Sequence, residues 1–126
     1  MTLAHLTLAT QHVERTAAFL EDTLGYARRP VPKNSPVDAQ WITLGRGQDI
    51  HIVRVEGYQP SPFEGEFGRH IAVFHPKRDF PALRARLAER GAEVFDPERT
   101  TPFDRFFFRE PVNGYVFEVS EERPVS

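Results

Sequence analysis

An internal repeat is the feature of this 126-residue chain that most restricts its fold. Aligning the two halves places His5, in the segment LAHLTLA, over His70, in GRHIAVF. The same alignment places His51, in GQDIHIV, over Glu118, in NGYVFEV, and each half has a glycine four residues before this later position. Internal repeats usually reflect duplicated supersecondary units, so the sequence predicts one small structural unit built twice.

The composition limits the kinds of protein that the chain can be. Its length suits one domain with a single core, and 40% hydrophobic with 27% charged residues is typical of a soluble globular protein. A net charge of −2 argues against a nucleic-acid partner, and the absence of cysteine excludes disulfides and thiolate zinc sites. No apolar run approaches about 18 residues and no signal-peptide pattern opens the chain, so we expect a cytoplasmic protein without a membrane partner.

The first half has the periodicity of a strand, a helix and three further strands. Apolar residues recur at helical spacing from Val13 to Leu24, where Gly25 ends the pattern. Thr10 precedes this stretch at a position suited to the N-cap of a helix. The predicted strands lie at 2–9, within the proline-rich stretch 27–39, and at 40–44 and 49–55.

The second half repeats this order. A helix capped by Asp79 is predicted to end at Gly91, and the predicted strands lie at 69–74, 93–95, 105–109 and 115–120. We therefore predict an α+β fold with two βαβββ modules in a single domain that spans residues 1–126. The predicted boundaries are 1–56 for the first module, 57–68 for a linker, 69–121 for the second module and 122–126 for a C-terminal tail.

Strand alternation places His5, His51, His70 and Glu118 on equivalent sheet faces. Their neighbours are apolar, as expected for the face that a helix covers, so the four polar side chains point the opposite way. Burying a polar side chain without a partner is costly, and a divalent metal is the simplest common partner. Imidazole and carboxylate ligands suit Zn, Ni, Co, Mn or Fe(II). The alternative is that each histidine is an ordinary hydrogen-bonded residue and that Glu118 is a solvated charge.

Three segments carry a resemblance to a known family. They are the opening LAHLTLAT with the following HVERTAAFLEDTLGY, the segment GRHIAVF, and the ending FFFREPVNGYVFEV. Over residues 3–121 the chain resembles the vicinal oxygen chelate superfamily, which includes glyoxalase I, bleomycin-resistance proteins, fosfomycin-resistance enzymes and extradiol dioxygenases. The resemblance implies paired βαβββ modules whose curved mixed sheet encloses a cleft, metal ligands at His5, His51, His70 and Glu118, and a homodimer.

The ligand set that the resemblance implies favours a metal-dependent enzyme. His5, His70 and Glu118 match positions used by dioxygenases and fosfomycin enzymes, whereas His51 stands where glyoxalases usually have Glu or Gln. We expect one divalent metal per site and isomerase or lyase chemistry on a small oxygenated substrate, with Glu118 as a ligand that also moves a proton. An extradiol-type dioxygenase is the second interpretation. A metal-free protein that binds a drug or metabolite, like the bleomycin-resistance proteins, is the third.

Candidate substrate contacts lie on the predicted strands. Arg105 and Arg109 share a strand face with Phe107, which would allow an anion clamp beside an aromatic wall. Two solvent-exposed arginines explain this pattern equally well. Trp41, the only tryptophan, is expected to turn toward the cleft, with simple core packing as the alternative. His12 is interpreted as a surface residue.

Overall fold

Residues 2–122 are described by the computed structural model of the chain, so the predicted tail 122–126 lies outside the described residues except for Glu122. The chain forms two compact units, Met1–Gln59 and Pro60–Ser126. Their boundary falls inside the segment 57–68 that the sequence predicts as a linker. Neither helix within residues 2–122 combines the length and the apolar character needed to cross a membrane.

The first unit is a four-stranded mixed sheet with one helix. Its elements are β1 (His5–Thr10), α1 (Val13–Leu24), β2 (Ala27–Arg29), β3 (Ala39–Gly45) and β4 (Gln48–Arg54). The order across the sheet is β1-β4-β3-β2, in which β1 and β4 are parallel and the other neighbours are antiparallel. The strand-helix-strand-strand-strand order predicted for this half is confirmed.

The apolar stripe of α1 covers one face of this sheet. Side chains of α1 and of this sheet face bury each other. The most completely buried among them include Ala17, Leu20, Ile42, Ile50 and Ile52. Strand side chains alternate between faces, so the residues between these isoleucines lie on the opposite face of the sheet. Packing of α1 therefore determines that Trp41 and His51 lie on the uncovered face.

The start of α1 differs from the prediction. Thr10 is the last residue of β1, and His12 occupies the N-cap position without a hydrogen bond from its side chain. The prediction of Thr10 as the N-cap is wrong, although its hydroxyl oxygen still accepts a hydrogen bond from the backbone N–H of His12 at 2.9 Å. The predicted end is confirmed, because Gly25 has φ 76° and adopts the left-handed conformation that commonly ends helices.

The second unit repeats the architecture. Its elements are β5 (Ile71–His75), a 3-10 turn (Lys77–Asp79), α2 (Phe80–Glu89), β6 (Glu93–Phe95), β7 (Arg105–Arg109) and β8 (Val116–Glu121). The order across the sheet is β5-β8-β7-β6, in which β5 and β8 are parallel and the other neighbours are antiparallel. The predicted α+β class with two βαβββ modules is confirmed, and each unit has its own sheet.

The core of the second unit lies between α2 and its sheet. Phe80 meets Phe106 edge-on, with 5.1 Å between ring centroids. The other fully buried apolar side chains on this side include Leu83, Leu87, Phe108, Phe117 and Val119. The expected N-cap bond is absent: Asp79 precedes α2 but its side chain makes no capping hydrogen bond, because a 3-10 turn leads into the helix instead.

The two units share one register. In the first, Thr7 pairs with His51 across β1 and β4, and in the second, Ala72 pairs with Glu118 across β5 and β8. His51 and Glu118 therefore each lie opposite the residue that follows His5 or His70, respectively, by two positions. His51 and Glu118 each also pair with an aromatic residue on their other neighbouring strand. His51 pairs with Trp41 in β3, and Glu118 pairs with Phe107 in β7.

Candidate functional site

A histidine and a carboxylate meet on the face of the second sheet opposite the one that α2 covers. Nε2 of His70 lies 3.3 Å from Oε1 of Glu118. Phe107 pairs with Glu118 across β7 and β8, is fully buried, and meets the His70 ring edge-on at 5.3 Å between centroids. The buried phenyl ring restricts the imidazole to an orientation that faces the carboxylate.

A backbone carbonyl fixes the tautomer of His70. Its Nδ1 lies 3.1 Å from the carbonyl oxygen of Gly65. A carbonyl oxygen can only accept, so Nδ1 carries the proton of the neutral ring and Nε2 keeps its lone pair. Metal-binding histidines in proteins are oriented by this kind of contact. In the neutral ring the lone pair of Nε2 therefore lies on the side that faces Glu118.

Glu118 has a second neighbour, the guanidinium of Arg105. Arg105 donates from Nη1 to Oε1 of Glu118 at 3.1 Å, and from Nη2 to Oε2 of Glu66 at 3.1 Å and to the carbonyl oxygen of Arg99 at 2.9 Å. The guanidinium also lies over the ring of Phe107, 5.2 Å from its centroid. Because its side chain is only 2% exposed, Arg105 connects Glu118 to an interior charge network and not to solvent.

Glu66 is the second carboxylate of this network. Its oxygens accept the backbone N–H groups of Glu98 at 2.7 Å and Arg99 at 3.1 Å, besides the bond from Arg105. Burial alone would raise the pKa of Glu66, but these hydrogen bonds and the positive charge of Arg105 outweigh burial and hold the pKa below its usual value. Glu66 is therefore held as a carboxylate.

The loop of residues 63–70 builds the site from the other side. Glu64, which is buried, accepts hydrogen bonds from Nε of Arg69 at 2.6 Å and from the backbone N–H of Val116 in β8 at 3.2 Å. Gly68 turns so tightly that a Cβ there would lie 1.9 Å from the carbonyl oxygen of Phe63. The loop is thus tied to the sheet and delivers the carbonyl of Gly65 to His70.

These loop residues were missed by the sequence interpretation, which treats 57–68 as a linker. Glu64 and Glu66 bond to residues in β7 and β8 that are 39 to 52 positions away, so no local periodicity marks them. The available signal was compositional. Two carboxylates alternate with Gly65 just before a predicted metal ligand, where a passive linker has no need of acids.

The first unit brings His5 and His51 together in a different way. Their rings stack with 3.9 Å between centroids and 14° between planes. Trp41 stacks on the other side of His51, with 4.0 Å between centroids and 3° between planes. His51 is therefore the middle member of a three-ring stack on the face opposite α1.

A buried carboxylate stands beside this stack. Asp49 forms an ion pair with Arg29, and its Oδ2 lies 3.9 Å from Nε2 of His51. Burial is the main cause that holds the pKa of His51 below its usual value. The nearby His5 and Arg29 also lower this pKa, whereas Asp49 raises it. The neutral imidazole is the form that can bind a metal ion.

The separation of the two ligand atoms in the second unit suits a shared divalent cation. Two ligands at right angles on a cation, with bonds of about 2.1 Å, lie about 3.0 Å apart. The separation between Nε2 of His70 and Oε1 of Glu118 is 3.3 Å. The first-unit rings have separate, nearly parallel planes, so either His5 or His51 must turn before both bind one ion. Within residues 2–122, no three such side chains lie close enough together to hold a metal.

The predicted substrate contacts are distributed over both units. Arg105, Phe107 and Arg109 share the face of Glu118, as strand alternation predicts. Arg109 donates to the carbonyl oxygens of Gly114 at 3.1 Å and Glu64 at 3.3 Å, so both arginines already have protein acceptors. Phe107 is fully buried, whereas the ring of Trp41 is partly exposed. Their contact with a substrate stays a prediction.

A family model matches residues 2–119, which include both units and all four candidate ligand positions. It describes the Glyoxalase/Bleomycin resistance protein/Dioxygenase superfamily. The chain belongs to this superfamily. The relationship predicted from the sequence segments is thereby confirmed, and it covers nearly the whole chain. No curated protein matches the chain significantly.

Solved structures of glyoxalase-superfamily proteins share its fold. A putative glyoxalase family protein from Bacillus anthracis has a TM-score of 0.78 and 25% identity, and the match covers 98% of this chain and 96% of that one. A mutant of the fosfomycin resistance protein FosX from Listeria monocytogenes, complexed with Mn(II) and 1S,2S-dihydroxypropylphosphonic acid, has a TM-score of 0.77 and 20% identity, with coverage of 97% and 92%. FosX from Mesorhizobium loti has a TM-score of 0.73 and 19% identity, with coverage of 94% and 90%.

Proposed function

We propose that the protein is a divalent-metal-dependent enzyme that acts on a small oxygenated metabolite. The observation that carries the proposal is the 3.3 Å separation between Nε2 of His70 and Oε1 of Glu118. When Nδ1 donates to the carbonyl oxygen of Gly65, the lone pair of the neutral ring lies on Nε2 and points toward a carboxylate oxygen, so the two groups offer two ligand atoms to one ion.

The proposed ligand set consists of His5, His51, His70 and Glu118, with one divalent ion per site chosen from Zn, Ni, Co, Mn and Fe(II). The donor chemistry of imidazoles and a carboxylate suits these ions. FosX from Listeria monocytogenes was solved with Mn(II), so manganese is the first ion to test. The small diol that accompanies the ion there supports a small oxygenated molecule as the substrate class here.

Within this proposal, the side chains of the second unit divide the chemical work. A divalent cation supplies Lewis-acid stabilisation of negative charge on substrate oxygens. Glu118 moves the proton, since its carboxylate lies at the ligand position and is oriented by the Nη1 donor of Arg105. Phe107 closes the floor of the site against water. Moving one proton between two atoms of the substrate is isomerase chemistry, and removing a proton with expulsion of a leaving group is lyase chemistry; these two are the first candidates.

Two other functions have an observation in their favour. An extradiol-type dioxygenase requires only three protein ligands, and the stack that holds His51 between two rings favours a set without it. A metal-free binding protein is favoured by Arg105, whose guanidinium already places positive charge 3.1 Å from Oε1 of Glu118. The first alternative predicts bound iron, and the second predicts no bound metal.

Metal analysis of the protein purified without chelator tests the proposal. We expect close to one divalent ion per chain, and loss of that ion in His70→Ala and Glu118→Ala with the circular dichroism spectrum retained. His12→Ala is the matched control, because this exposed histidine makes no side-chain capping bond. Stoichiometric metal in either ligand variant, or none in the wild type after reconstitution with Mn(II), overturns the proposal.

The same measurement distinguishes the ligand sets. If His51 is the fourth ligand, His51→Ala should weaken metal affinity by about one to two orders of magnitude. Unchanged affinity favours the three-ligand dioxygenase set, and the identity of the metal then selects the assay. Sedimentation of the wild type and of His5→Ala tests the proposed homodimer, because the ligand substitution should alter metal content and leave a dimer intact.

A further inference from the structure

The guanidinium of Arg105 competes for the atom that the proposed metal needs. Its Nη1 lies 3.1 Å from Oε1 of Glu118, the same oxygen that lies 3.3 Å from Nε2 of His70. The Arg105 side chain is 2% exposed, so its charge is neutralised by protein groups and not by water. The positive charge next to Glu118 is therefore supplied by Arg105.

We propose that Arg105 is an internal counter-ion that occupies the carboxylate of Glu118 in the metal-free protein and competes with the divalent cation for it. The inference deepens the proposed function and rests on it. It assigns Arg105 as a positioning residue that sets metal affinity through Glu118, a role different from the substrate contact predicted from sequence.

The charges around Arg105 decide the direction of the effect. Arg105, Glu66 and Glu118 together carry one net negative charge, and neutralising Arg105 leaves two in a poorly hydrated region. A divalent cation bound to Glu118 has to share or displace the Nη1 donor and also stands beside a like charge. Arg105 therefore stabilises the metal-free protein and lowers its affinity for metal.

Glu66 explains how the guanidinium stays in place when Glu118 is taken by a metal. It accepts a bond from Nη2 of Arg105 at 3.1 Å, and the carbonyl oxygen of Arg99 accepts another at 2.9 Å. These two bonds do not involve Glu118. Nε of Arg105 has no acceptor among the described residues, so the group also has an unused donor that an additional oxygen atom could satisfy.

Titration with Mn(II), followed by the electron paramagnetic resonance signal of the free ion, tests this role. Arg105→Gln should bind Mn(II) about tenfold more tightly than the wild type, because one charge-assisted competitor is removed. Its metal-free form should unfold at a lower temperature, and Mn(II) should raise that temperature by more than in the wild type. Arg105→Lys, which keeps the charge, should return the affinity toward the wild-type value.

Arg84→Gln is the matched control. Arg84 lies in α2 of the same unit and loses the same charge, but its acceptor is Asp96 at 2.9 Å, not Glu118. Its Mn(II) affinity should stay close to the wild type. A merely structural role for Arg105 predicts weaker metal binding in Arg105→Gln, which is the opposite sign.

The Glu66→Gln variant provides a second test, in which Arg105 is retained and the expected change in Mn(II) affinity has the opposite sign. It leaves Glu118 as the only carboxylate partner of Arg105, so Mn(II) binding should weaken severalfold. Equal or weaker binding in folded Arg105→Gln, or unchanged binding in Glu66→Gln, overturns the inference while the proposed function stands. If neither the wild type nor any variant binds metal, both fail.

Discussion

The two units place polar side chains at equivalent register positions but stabilise them by different physical means. In the first unit, His5, His51 and Trp41 form a stack of rings on a face that stays partly open. In the second, the partly exposed His70 contacts a backbone carbonyl, and the buried Glu118 belongs to a network of charges around Arg105. Duplication of the backbone therefore did not duplicate the environment.

The difference begins at single cross-strand positions. Ser120, two residues after Glu118, pairs with Arg105, whereas Val53, two residues after His51, pairs with Ala39. The first unit thus has no cation at the position where the second has a buried guanidinium. An equivalent register fixes where side chains lie, and the identity of their cross-strand neighbours decides whether a charge can be held there.

The aromatic partners show the largest contrast, and exchanging each for alanine measures it. Phe107 is fully buried, so Phe107→Ala should lower the free energy of unfolding by about 3–5 kcal/mol. Trp41 holds the equivalent position but is partly exposed, so Trp41→Ala should cost about half as much or less. Urea unfolding followed by circular dichroism is the suitable measurement, since Trp41→Ala removes the only tryptophan. Equal losses would erase the contrast between the units.

The second contrast concerns the loop of residues 63–70 in the second unit, where two glycines allow a matched comparison. A Cβ at Gly68 would lie 1.9 Å from the carbonyl oxygen of Phe63, so Gly68→Ala must move the loop. We expect a loss of about 1–3 kcal/mol in unfolding free energy, and weaker metal binding because the carbonyl that orients His70 moves too. Gly65→Ala has open space around its new methyl group and should change stability by less than about 0.5 kcal/mol.

These two variants are informative together. Both add one methyl group to the same loop, so a general effect of reduced backbone freedom would appear in each. If Gly65→Ala disturbs metal binding as much as Gly68→Ala does, the close approach to Phe63 is not what holds His70. Differential scanning fluorimetry with and without Mn(II) reports, for each variant, the change in thermal stability and the stabilisation by the metal.

Local periodicity was enough to predict the repeat and most of its elements. The strand predicted at 105–109 has the same bounds in the structure, and Gly25 ends α1 as expected. Alternation along a strand also predicted that Arg105, Phe107 and Arg109 share a face. These features depend on neighbours within a few residues, where the spacing of apolar side chains carries the information.

The partners of the site could not be predicted in the same way. The bond from Arg105 to Glu66 joins residues 39 apart, and the bond from Val116 to Glu64 joins residues 52 apart. No periodicity links such pairs, so the segment 57–68 that contains these acids was predicted as a linker. Thr10 failed as an N-cap for a related reason: hydrogen bonding of β1 to β4 extends through it, and tertiary pairing overrides its capping preference.

The smallest expected effect is the loss of stability in acid that one carboxylate from each unit causes. Glu66 and Glu14 both have a pKa held below the usual 4.5, Glu66 by backbone N–H groups and Arg105 against the cost of burial, and Glu14 mainly by its hydrogen bond to Arg28. A lowered pKa means that the ionised form is preferred in the folded state. Each group therefore contributes stability above pH 4.5 that is lost as the pH falls below it.

Salt should separate these two contributions. The side chain of Glu14 is 71% exposed, so ions in solution screen its pair with Arg28, whereas Glu66 is 7% exposed and is screened much less. Thermal unfolding of Glu66→Gln and Glu14→Gln, measured from neutral pH to below 4.5 at low and high salt, tests this. Near neutral pH, high salt should remove the difference between Glu14→Gln and the wild type but preserve that of Glu66→Gln. If salt removes both differences equally, the network around Arg105 is hydrated in solution and the electrostatic contrast between the two units is wrong.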